Sequence, residues 1–515
     1  MSTAPLSVAD VISPWVEASP DTIAIRTRTE QLTYQELDAR ANRVAHLLLS
    51  RGLAPDSRVG YIGRNRIDYW PLILGAQRAG MVPVPLNWRL TVHELAGVAA
   101  DARLALLFGD DEYAALAPAV IPWGGAPDQF GGLVDAQPAS PPEVSRSPEA
   151  TAWILFTSGT TGKPKGAVVT HANVLANLYP WGEVWGIDQG SVIWNPYPSF
   201  HNTFLGVSLV ILSRGGTVEL RDAVDVEDLL WSIEHRGVSF VLMVPAVLQQ
   251  VLEARETTSR DLSSLTRVVT GTAPVSPRLL ARFLDAFPGC WISNNYGATE
   301  TTTSNTNVTF RHPSELTESR VNSVGEPLPW IELRIADPVT LEEVATGADG
   351  EIWVRSPSCV RQYFEWPEAT AKTFTPDGWV RTSDVGHLDH EGLLHITDRL
   401  NDLIISGSEN ISPTEVEESL RGFDEIRDVS VVGVADERWG EVPFAFIVPA
   451  DVGVDATALR DYCAAHLATF KTPVGFRVID ELPRNATGKV LRTRLRERLR
   501  DDPPSVTDRA IRQAP

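Results

Sequence analysis

Glycines, hydroxyl side chains and lysines crowd into residues 156–166, directly after the apolar run 153–155. Glycine leaves the backbone free to curl, so that successive N–H groups point at one anion. The hydroxyls add hydrogen-bond donors, and the lysines add positive charge. The residues concerned are Thr157, Ser158, Gly159, Thr160, Thr161, Gly162, Lys163 and Lys165. This composition predicts a loop that binds phosphate.

Two positions separate this loop from the P-loop of nucleoside triphosphatases. That motif has glycine five residues before its Gly-Lys pair and serine or threonine directly after the lysine. Here Thr157 occupies the first position and Pro164 the second. An ordinary surface turn is the remaining alternative, because Gly, Thr and Pro are common in turns. It does not account for so particular an order of residues.

A second motif, residues 295–300, follows the apolar residues 290–292. Tyr296 can stack on a purine, Thr299 can donate to a phosphate oxygen, and Glu300 offers the hard oxygen ligand that magnesium prefers. In doubly wound sheets, ligands bind at the carboxyl ends of strands. Taken alone, however, these residues would be a turn with a helix-capping glutamate.

Two further residues have suitable chemistry. Asp384 follows a candidate strand, where a carboxylate suits bidentate hydrogen bonds to the two hydroxyls of a ribose. Lys489 stands on a glycine-containing turn, which would let it swing into a site and out again. Five arginines follow it, at positions 492, 494, 496, 498 and 500. We interpret them as a solvated helix face.

Alternating helices and strands must position these residues. The spacing of apolar residues predicts a helix over 34–49, with Leu37, Ala41, Val44 and Leu48 on one face, and another over 69–78. Apolar runs predict strands at 59–62, 82–86, 104–108, 191–194, 217–220, 239–242, 267–269, 350–355, 429–433 and 444–448. This alternation predicts an α/β fold with a mostly parallel sheet covered by helices.

In this order and spacing, over roughly residues 20–495, the motifs resemble those of the adenylate-forming superfamily. That superfamily includes acyl-CoA synthetases, beetle luciferases and the adenylation domains of peptide synthetases. The chain is most similar to fatty-acid or aryl and alicyclic acid–CoA ligases. The resemblance implies an ATP- and Mg²⁺-dependent ligase that forms an acyl-AMP and then an acyl-CoA.

The resemblance also implies the division of the chain. Residues 1–400 would form a large N-terminal domain of stacked α/β subdomains with a small β-barrel-like part between about 324 and 400. Residues 401–515 would form a small mobile α+β domain that carries the catalytic lysine. Three positions depart from the family pattern: Ser383 and Ser408 stand where glycine is usual, and Asn401 stands where the hinge usually has Lys or Asp.

By the same resemblance, Thr157, Glu300 and Lys489 are catalytic, and Glu300 is the metal ligand. The residues implied to bind ATP or AMP are Thr157, Ser158, Gly159, Thr160, Thr161, Gly162, Lys165, Gly271, Thr272, Ala273, Pro274, Asn295, Tyr296, Gly297, Thr299, Asp384, Arg399 and Lys489. The acyl pocket would be formed by His201, Phe204, Val244, Ala273, Gly297, Ala298 and Thr302. Coenzyme A would contact Ser406, Gly407, Ser408, Glu409, Trp439, Phe470 and Lys471.

This set suits the activation of a carboxylate. The acid and ATP are both anions, so magnesium on Glu300, the loop at 157–166 and Lys489 place positive charge where negative charge concentrates. No Ser-His-Asp or Cys-His set is apparent, and the reaction needs none. Because Lys489 would obstruct attack by the CoA thiolate, the small domain is expected to move between the two steps.

The predicted pocket indicates an apolar monocarboxylic acid larger than acetate. Gly271, Ala273, Gly297 and Ala298 have little or no side chain, which leaves volume. No lysine or arginine stands among the pocket residues, and burying an unpaired second carboxylate is costly, so dicarboxylic acids are disfavoured. A medium or long chain, an alicyclic acid and an aryl acid all remain open.

Two other functions remain open. One keeps adenylation but transfers the acyl group to an amine or to a carrier-protein thiol. The other is a regulatory protein that binds nucleotide without turnover. The presence of Glu300, Asp384, Arg399 and Lys489 argues against the second, because such a protein has no chemical need for the lysine.

Composition narrows the setting. The 515 residues suggest about three domain-sized units, and a net charge of −21 disfavours nucleic acid and anionic membranes as partners. The three widely spaced cysteines form neither a disulfide nor a zinc pattern. Signal peptide, peroxisomal tripeptide and a spanning apolar run of ~18 residues are not apparent. We therefore expect a reduced, cytoplasmic protein. By the resemblance, its partners are ATP, CoA and a carboxylic acid, and a homodimer stays open.

Overall fold

The computed structural model describes residues 7–90, 92–116, 123–125, 127–157, 164–271, 275–302, 304–400, 402, 404–406, 409–436, 440–450, 453–467, 471–484, 490–502 and 509–510. The α-helices in this part are α1 Ser13–Ala18, α2 Tyr34–Ser50, α3 Tyr69–Arg78, α4 Val92–Asp101, α5 Pro127–Asp135, α6 His171–Val184, α7 Asn202–Ser213, α8 Val226–Arg236, α9 Pro245–Thr257, α10 Pro277–Ala286, α11 Glu318–Val321, α12 Pro367–Thr373, α13 Pro413–Arg421, α14 Ala456–His466 and α15 Arg492–Asp501.

The strands fall in the same part of the chain. They are β1 Ile23–Arg26, β2 Gln31–Thr33, β3 Arg58–Ile62, β4 Val82–Leu86, β5 Leu104–Gly109, β6 Trp123–Gly125, β7 Thr151–Thr157, β8 Lys165–Thr170, β9 Val192–Asn195, β10 Thr217–Leu220, β11 Phe240–Leu242, β12 Arg267–Gly271, β13 Trp291–Asn295, β14 Thr306–Phe310, β15 Glu326–Pro327, β16 Glu332–Ala336, β17 Gly350–Arg355, β18 Val380–Leu388, β19 Leu394–Arg399, β20 Ile404–Ser406, β21 Glu409–Ile411, β22 Ile426–Asp436, β23 Gly440–Pro449, β24 Gly475–Val478 and β25 Arg509–Ala510.

The chain divides into two compact units, residues 1–333 with 353–382, and residues 334–352 with 383–515. The predicted boundary at 400/401 falls inside the second unit by this division. A hinge at Asn401 lies outside the described residues and stays a prediction.

The main sheet of the first unit has nine strands in the order β15-β14-β13-β12-β11-β9-β10-β1-β2. Its central strands are parallel, from β13 through β12, β11, β9 and β10 to β1, while β14 and β2 pair antiparallel at the flanks. A separate parallel sheet has the order β4-β3-β5-β6. The predicted α/β fold with a mostly parallel sheet is confirmed. In such sheets the carboxyl ends of the strands are the usual place for a ligand.

Helix α2 shows how local sequence builds this unit. Thr33 and Glu36 form a capping box that satisfies backbone N–H groups at its start. The four residues predicted for one face, Leu37 to Leu48, are fully buried. Helix α3 packs on α2 with Gly75 at the contact, where a Cβ would lie 2.6 Å from Val44. Both helices lie where their spacing predicts.

The second unit contains β22 and β23, which pair antiparallel over most of their length, and β24, which lies parallel to β23. Helices α13, α14 and α15 belong to the same unit as this sheet. Its core includes Ile404, Val431, Leu459 and Phe476, all at most 1% exposed. The small α+β C-terminal domain is thus present, and short strands predicted between about 324 and 400 appear as β15 to β19.

The three cysteines, Cys290, Cys359 and Cys463, are buried free thiols. Burial raises the pKa of Cys290 and Cys359 to about 12 and that of Cys463 to about 11, which keeps them protonated and unreactive. Among the described residues, no helix has both the length and the apolar character that crossing a membrane requires.

Candidate active site

An antiparallel hairpin presents the predicted phosphate loop. Strand β7 ends at Thr157 and β8 begins at Lys165, and these two residues are partners across the hairpin. The Thr157 hydroxyl donates to the Lys165 carbonyl at 3.4 Å. The intervening residues predicted to bind phosphate, 158–163, lie outside the described residues. The hairpin therefore brings both ends of the loop, one hydroxyl and one lysine, to the same place.

Tyr363 joins this hairpin to the predicted metal ligand. Its hydroxyl donates to Glu300 Oε1 at 2.7 Å, and the Lys165 Nζ lies 5.3 Å from the centre of its ring. Burial and the Glu300 charge raise the pKa of Tyr363 above its ordinary value, so the phenol stays a donor. Sequence reasoning missed Tyr363, because nothing in its neighbourhood indicates that it faces a carboxylate 63 residues away.

A segment that we call the strap, residues 357–364, fixes this arrangement through its backbone. The Val360 N–H donates to the Glu300 carbonyl at 2.9 Å, and the Phe364 N–H donates to the Gly166 carbonyl at 2.7 Å. The Asn173 side chain donates to the Cys359 carbonyl at 2.9 Å. The strap is therefore bonded to the Glu300 turn, to β8 and to α6.

The carboxyl ends of β12 and β13 meet at Gly271 and Asn295, which are partners in register. A Cβ on Gly271 would lie 2.6 Å from the Asn295 carbonyl oxygen. The volume expected at Gly271 is therefore filled by the neighbouring strand, and the glycine is needed for close approach. Residues Thr272, Ala273 and Pro274 lie outside the described residues.

Asn295 has an unsatisfied side chain. It is 7% exposed, and neither its amide nitrogen nor its amide oxygen has a hydrogen-bond partner among the described residues. Leaving a buried amide unpaired is costly. A ligand could satisfy this amide, and the predicted nucleotide contact at Asn295 stays a prediction.

The turn after β13 carries the other predicted residues of the second motif. Tyr296 is buried, Gly297 is exposed and pairs with Ser304 in an isolated bridge, and residues 299–301 form a single 3₁₀ turn. Thr299 and Glu300 are half-buried. The capping alternative for Glu300 is not what the structure has, since its carboxylate accepts from Tyr363.

The surroundings of Glu300 are compatible with its predicted role as a magnesium ligand. Within the described ranges, no three His, Cys, Asp or Glu side chains are grouped to hold a metal ion. Magnesium, however, is usually held by one or two carboxylates together with substrate phosphates and water. One Glu300 oxygen accepts from Tyr363, and the other has no hydrogen-bond partner in the described part of the chain. A single hard oxygen, linked through Tyr363 to Lys165 at the end of the predicted phosphate loop, fits that pattern.

His201 stands directly before α7 and has a buried Nε2 without a hydrogen-bond partner among the described residues. Burial and the nearby Arg89 charge lower the pKa of His201 to about 4, so the ring is neutral at physiological pH. Asn65 holds the loop before it, with its amide nitrogen donating to the Tyr197 carbonyl at 2.6 Å and its amide oxygen accepting from the Ser199 N–H at 3.0 Å.

The other predicted pocket residues are spread over several elements. Phe204 is fully buried, with its ring 5.8 Å from that of Trp70, and Val244 precedes α9. Ala298 is half-buried. Of the predicted pocket residues that the structure describes, only Thr302 lines the small, mainly apolar cavity of about 20 Å³ between α6 and α7.

Arg89 is a cation that the sequence argument about dicarboxylic acids did not consider. Its guanidinium lies 5.8 Å from the centre of the Phe200 ring and 4.7 Å from that of Trp88. Positive charge is therefore present beside His201, although no predicted pocket residue carries it.

In the second unit, Asp384 and Arg399 are partners across β18 and β19. Asp384 is 7% exposed. The preceding Ser383 has φ +62°, in the left-handed region that favours glycine. This conformation explains physically why glycine would suit position 383. The register of β18 and β19 places the two residues predicted for the ribose side by side.

The predicted CoA residues are only partly described. Ser406 is buried at the end of β20, opposite Glu409 at the start of β21. The Lys471 Nζ lies 2.5 Å from Glu415 Oε1, so part of its charge is already neutralised. Gly407, Ser408, Trp439 and Phe470 lie outside the described residues, as does Lys489.

The interpretation of the five arginines as a solvated face is wrong for two of them. Arg492 and Arg496 lie one turn apart on α15 and both pair with Asp402, at 3.1 and 3.0 Å. Arg492 also pairs with Glu417 at 3.0 Å. Burial alone would raise the pKa of Asp402, but the two guanidinium charges outweigh it and hold that pKa below its usual range.

Comparison with known proteins identifies the family. The AMP-binding enzyme family matches residues 12–364, and the AMP-binding enzyme C-terminal domain matches residues 415–489. The chain is 36% identical to a feruloyl-CoA synthase of Amycolatopsis sp. over 482 residues, which cover 93% of this chain and 96% of the relative. It is 33% identical to a fatty acid–[acyl-carrier-protein] ligase, ScoC, of Streptomyces coeruleorubidus, covering 94% of each.

A solved structure agrees as well. O-succinylbenzoate coenzyme A synthetase from Bacillus subtilis, in complex with ATP and magnesium ion, is 30% identical, covers 95% of this chain and 99% of its own, and superposes with a TM-score of 0.85. The match of fold and sequence extends over both units. The chain belongs to the AMP-binding enzyme family.

Proposed function

We propose that the protein is an ATP- and Mg²⁺-dependent carboxylate–CoA ligase that forms an acyl-AMP and then an acyl-CoA. The observation that carries this proposal is the contact series Lys165–Tyr363–Glu300. It places the Lys165 ammonium group, at the end of the predicted phosphate loop, against the Tyr363 ring. The Tyr363 hydroxyl donates to one oxygen of the Glu300 carboxylate and leaves the other oxygen for a cation. Similarity to CoA ligases over more than nine-tenths of the chain supports the choice of reaction.

In the first step, an oxygen of the acid attacks the α-phosphate of ATP and pyrophosphate leaves. We assign Lys165, the Thr157 hydroxyl and the N–H groups of the loop to the triphosphate, and Asn295 to the nucleotide. Glu300 would hold magnesium, which supplies positive charge against the phosphate oxygens. Asp384 and Arg399 would hold the ribose. Fixed charges and dipoles of this kind lower the barrier because they need no reorganisation during the reaction.

In the second step, the CoA thiolate attacks the acyl carbon and AMP leaves. We assign Lys489 to the first step alone, where it offsets the charge that builds up as the two anions meet. The small domain, residues 401–515, would then turn about Asn401 to withdraw it. Ser406, Glu409 and Lys471 are the described residues that we assign to CoA.

The acid that we propose is an apolar monocarboxylic acid larger than acetate: a medium or long chain, an alicyclic acid or an aryl acid. Neutral His201 and buried Phe204 suit an apolar group. Arg89 is the reason to include dicarboxylic acids in the test, since a guanidinium near the pocket could pair with a second carboxylate.

The deciding experiment is a panel of acetate, malonate, octanoate, benzoate, ferulate and cyclohexanecarboxylate with ATP. Pyrophosphate release reports the first step, and AMP formation with and without CoA reports the second. We expect pyrophosphate release with the larger apolar acids, and AMP formation only when CoA is present. Faster turnover on acetate or malonate would overturn the proposed acid class.

A carrier-protein thiol is the second acceptor worth testing, because the relatives include an acyl-carrier-protein ligase. The same panel is therefore run with CoA replaced by a phosphopantetheinyl carrier protein. Turnover with the carrier protein and none with CoA would move the function to that class. If the protein binds nucleotide but releases no pyrophosphate from ATP with any of the acids, it would be a regulatory protein.

A further inference from the structure

We propose that Tyr363 is a positioning residue that couples the Glu300 carboxylate to Lys165, so that magnesium and the triphosphate are bound together. The inference rests on the proposed function, which assigns magnesium to Glu300. It adds a residue on the strap, distant in sequence from both groups, that decides where each of them points.

The hydroxyl of Tyr363 limits the Glu300 side chain. Glu300 lies on a single turn of three residues, Thr299–Thr301, and a glutamate there has several rotamers. The 2.7 Å hydrogen bond from Tyr363 selects one of them and occupies one oxygen. The second oxygen is left for a cation, and second-shell partners of this kind commonly orient metal ligands.

The ring of Tyr363 serves the other partner. The Lys165 Nζ lies 5.3 Å from the ring centre, within the range of a cation–π contact. Lys165 is the first residue of β8, so it lies at the C-terminal end of the predicted phosphate loop. The same aromatic side chain therefore contacts the carboxylate through its edge oxygen and the ammonium group through its face.

The strap holds the tyrosine itself in place. Tyr363 is 5% exposed, and its ring lies 5.1 Å from that of Phe374. Backbone bonds on either side, Val360 to Glu300 and Phe364 to Gly166, attach the strap to both partners. A phenylalanine would fill the same space and keep the ring contact, but it would leave Glu300 free to rotate. The hydroxyl can therefore be tested separately from the packing.

The experiment measures binding of a non-hydrolysable ATP analogue by calorimetry, in excess MgCl₂ and in EDTA. For wild type we expect tighter binding with magnesium. For Tyr363→Phe we expect about a tenfold loss of this magnesium gain and unchanged binding in EDTA. Tyr363→Leu also removes the ring from Lys165, so its binding is expected to weaken in EDTA as well.

A double mutant separates positioning from general damage. If Tyr363 acts through Glu300, Tyr363→Phe/Glu300→Gln binds no more weakly than Glu300→Gln alone, because the hydroxyl has nothing left to orient. Effects that multiply would overturn the proposal. The matched control is Tyr34→Phe, which removes another fully buried hydroxyl, bonded to the Gly216 carbonyl at 2.8 Å; it should leave the magnesium gain at the wild-type level.

Glu300→Asp keeps the proposal testable if Tyr363→Phe does not fold. It retains the charge but draws the carboxylate back from the hydroxyl, and we expect it to lose the magnesium gain as Glu300→Gln does. A full gain in Glu300→Asp, or in a folded Tyr363→Phe, would overturn the inference. Wild-type protein without any magnesium gain would instead overturn the proposed function from which the inference starts.

Discussion

The proposed mechanism uses the charge of Lys489 in the first step and not in the second. In the proposed mechanism, its ammonium group offsets negative charge only while the acid attacks ATP. We therefore expect Lys489→Ala to slow adenylation roughly a hundredfold or more and to spare thioester formation from supplied acyl-AMP. Pyrophosphate release measures the first step, and CoA consumption with synthetic acyl-AMP measures the second.

The two half-reactions serve as each other's control. Equal losses in both would show that Lys489 is not confined to the first conformation, and the assignment would then be abandoned. A thermal melt matching that of wild type confirms that the variant is folded.

Gly271 offers a second test at the scale of one residue. A methyl group there would press on the Asn295 carbonyl, 2.6 Å away, so β12 and β13 must separate at their carboxyl ends. Gly271→Ala should lower the free energy of unfolding by about 1–3 kcal/mol and weaken nucleotide binding, because Asn295 shifts with its backbone. Denaturant unfolding and nucleotide titration measure these two effects.

Gly97→Ala is the matched control for this substitution. Gly97 lies inside α4 with nothing within 4 Å of a Cβ, and alanine favours a helix. That variant should be as stable as wild type or more so, by up to about 1 kcal/mol. If Gly271→Ala behaved in the same way, the close approach of β12 and β13 would not constrain the site.

At the scale of elements, helix α15 is tied to the residue beside the predicted hinge. Asp402 accepts from both Arg492 and Arg496 at side-chain exposures of 15 to 28%. The lysine predicted to be catalytic lies three residues before Arg492. The ion network therefore links the chain after Asn401 to the helix after Lys489, within one unit.

Removing the Asp402 carboxylate from this network should destabilise the protein. Asp402→Asn removes the carboxylate that the two guanidinium groups share, while Arg492 keeps Glu417 as a partner. We expect the free energy of unfolding to fall by about 1–2 kcal/mol. Asp461→Asn, an exposed acid on α14, removes the same charge from the same unit and should change it by less than about 0.5 kcal/mol. Equal melts for the two variants would show that the network adds nothing to stability.

At the scale of the whole molecule, one buried histidine, His171, and one half-buried histidine, His201, predict acid destabilisation. Burial, with Arg146 for His171 and Arg89 for His201, lowers both pKa values to about 4. An unfolded histidine titrates near 6.5, so the unfolded chain binds more protons between pH 4 and 6.5. The free energy of unfolding should therefore be highest above pH 6.5 and fall as the pH drops through this window.

His171→Gln tests one of the two. His171 Nδ1 accepts from the Val8 N–H at 3.2 Å, a bond that protonation removes and that a glutamine oxygen can replace. In this variant, the slope of the free energy of unfolding against pH should decrease by up to about 1.4 kcal/mol per pH unit between pH 6.5 and 4. Urea unfolding at several pH values measures it, and an unchanged slope would show that His171 is not protonated on unfolding in this range.

Local sequence was sufficient for much of the fold because the periodicity of apolar residues is a local property. Helix α3 occupies the residues that its spacing predicts, and β7 and β13 precede the two main motifs as expected. The predicted phosphate loop and the Glu300 turn could be picked out for a similar reason, since in each of them the polar and charged residues lie within a few consecutive positions.

Partners that lie far apart along the chain were decided only by tertiary packing. Tyr363 and Glu300 are separated by 63 residues, and Asp402 and Arg492 by 90. Which side chains meet over such distances depends on strand register and on how the strap and helix α15 are seated, and no short stretch of sequence contains that information. For the same reason, two arginines expected in solvent are paired with an acid, and the space expected beside Gly271 is filled by a neighbouring strand.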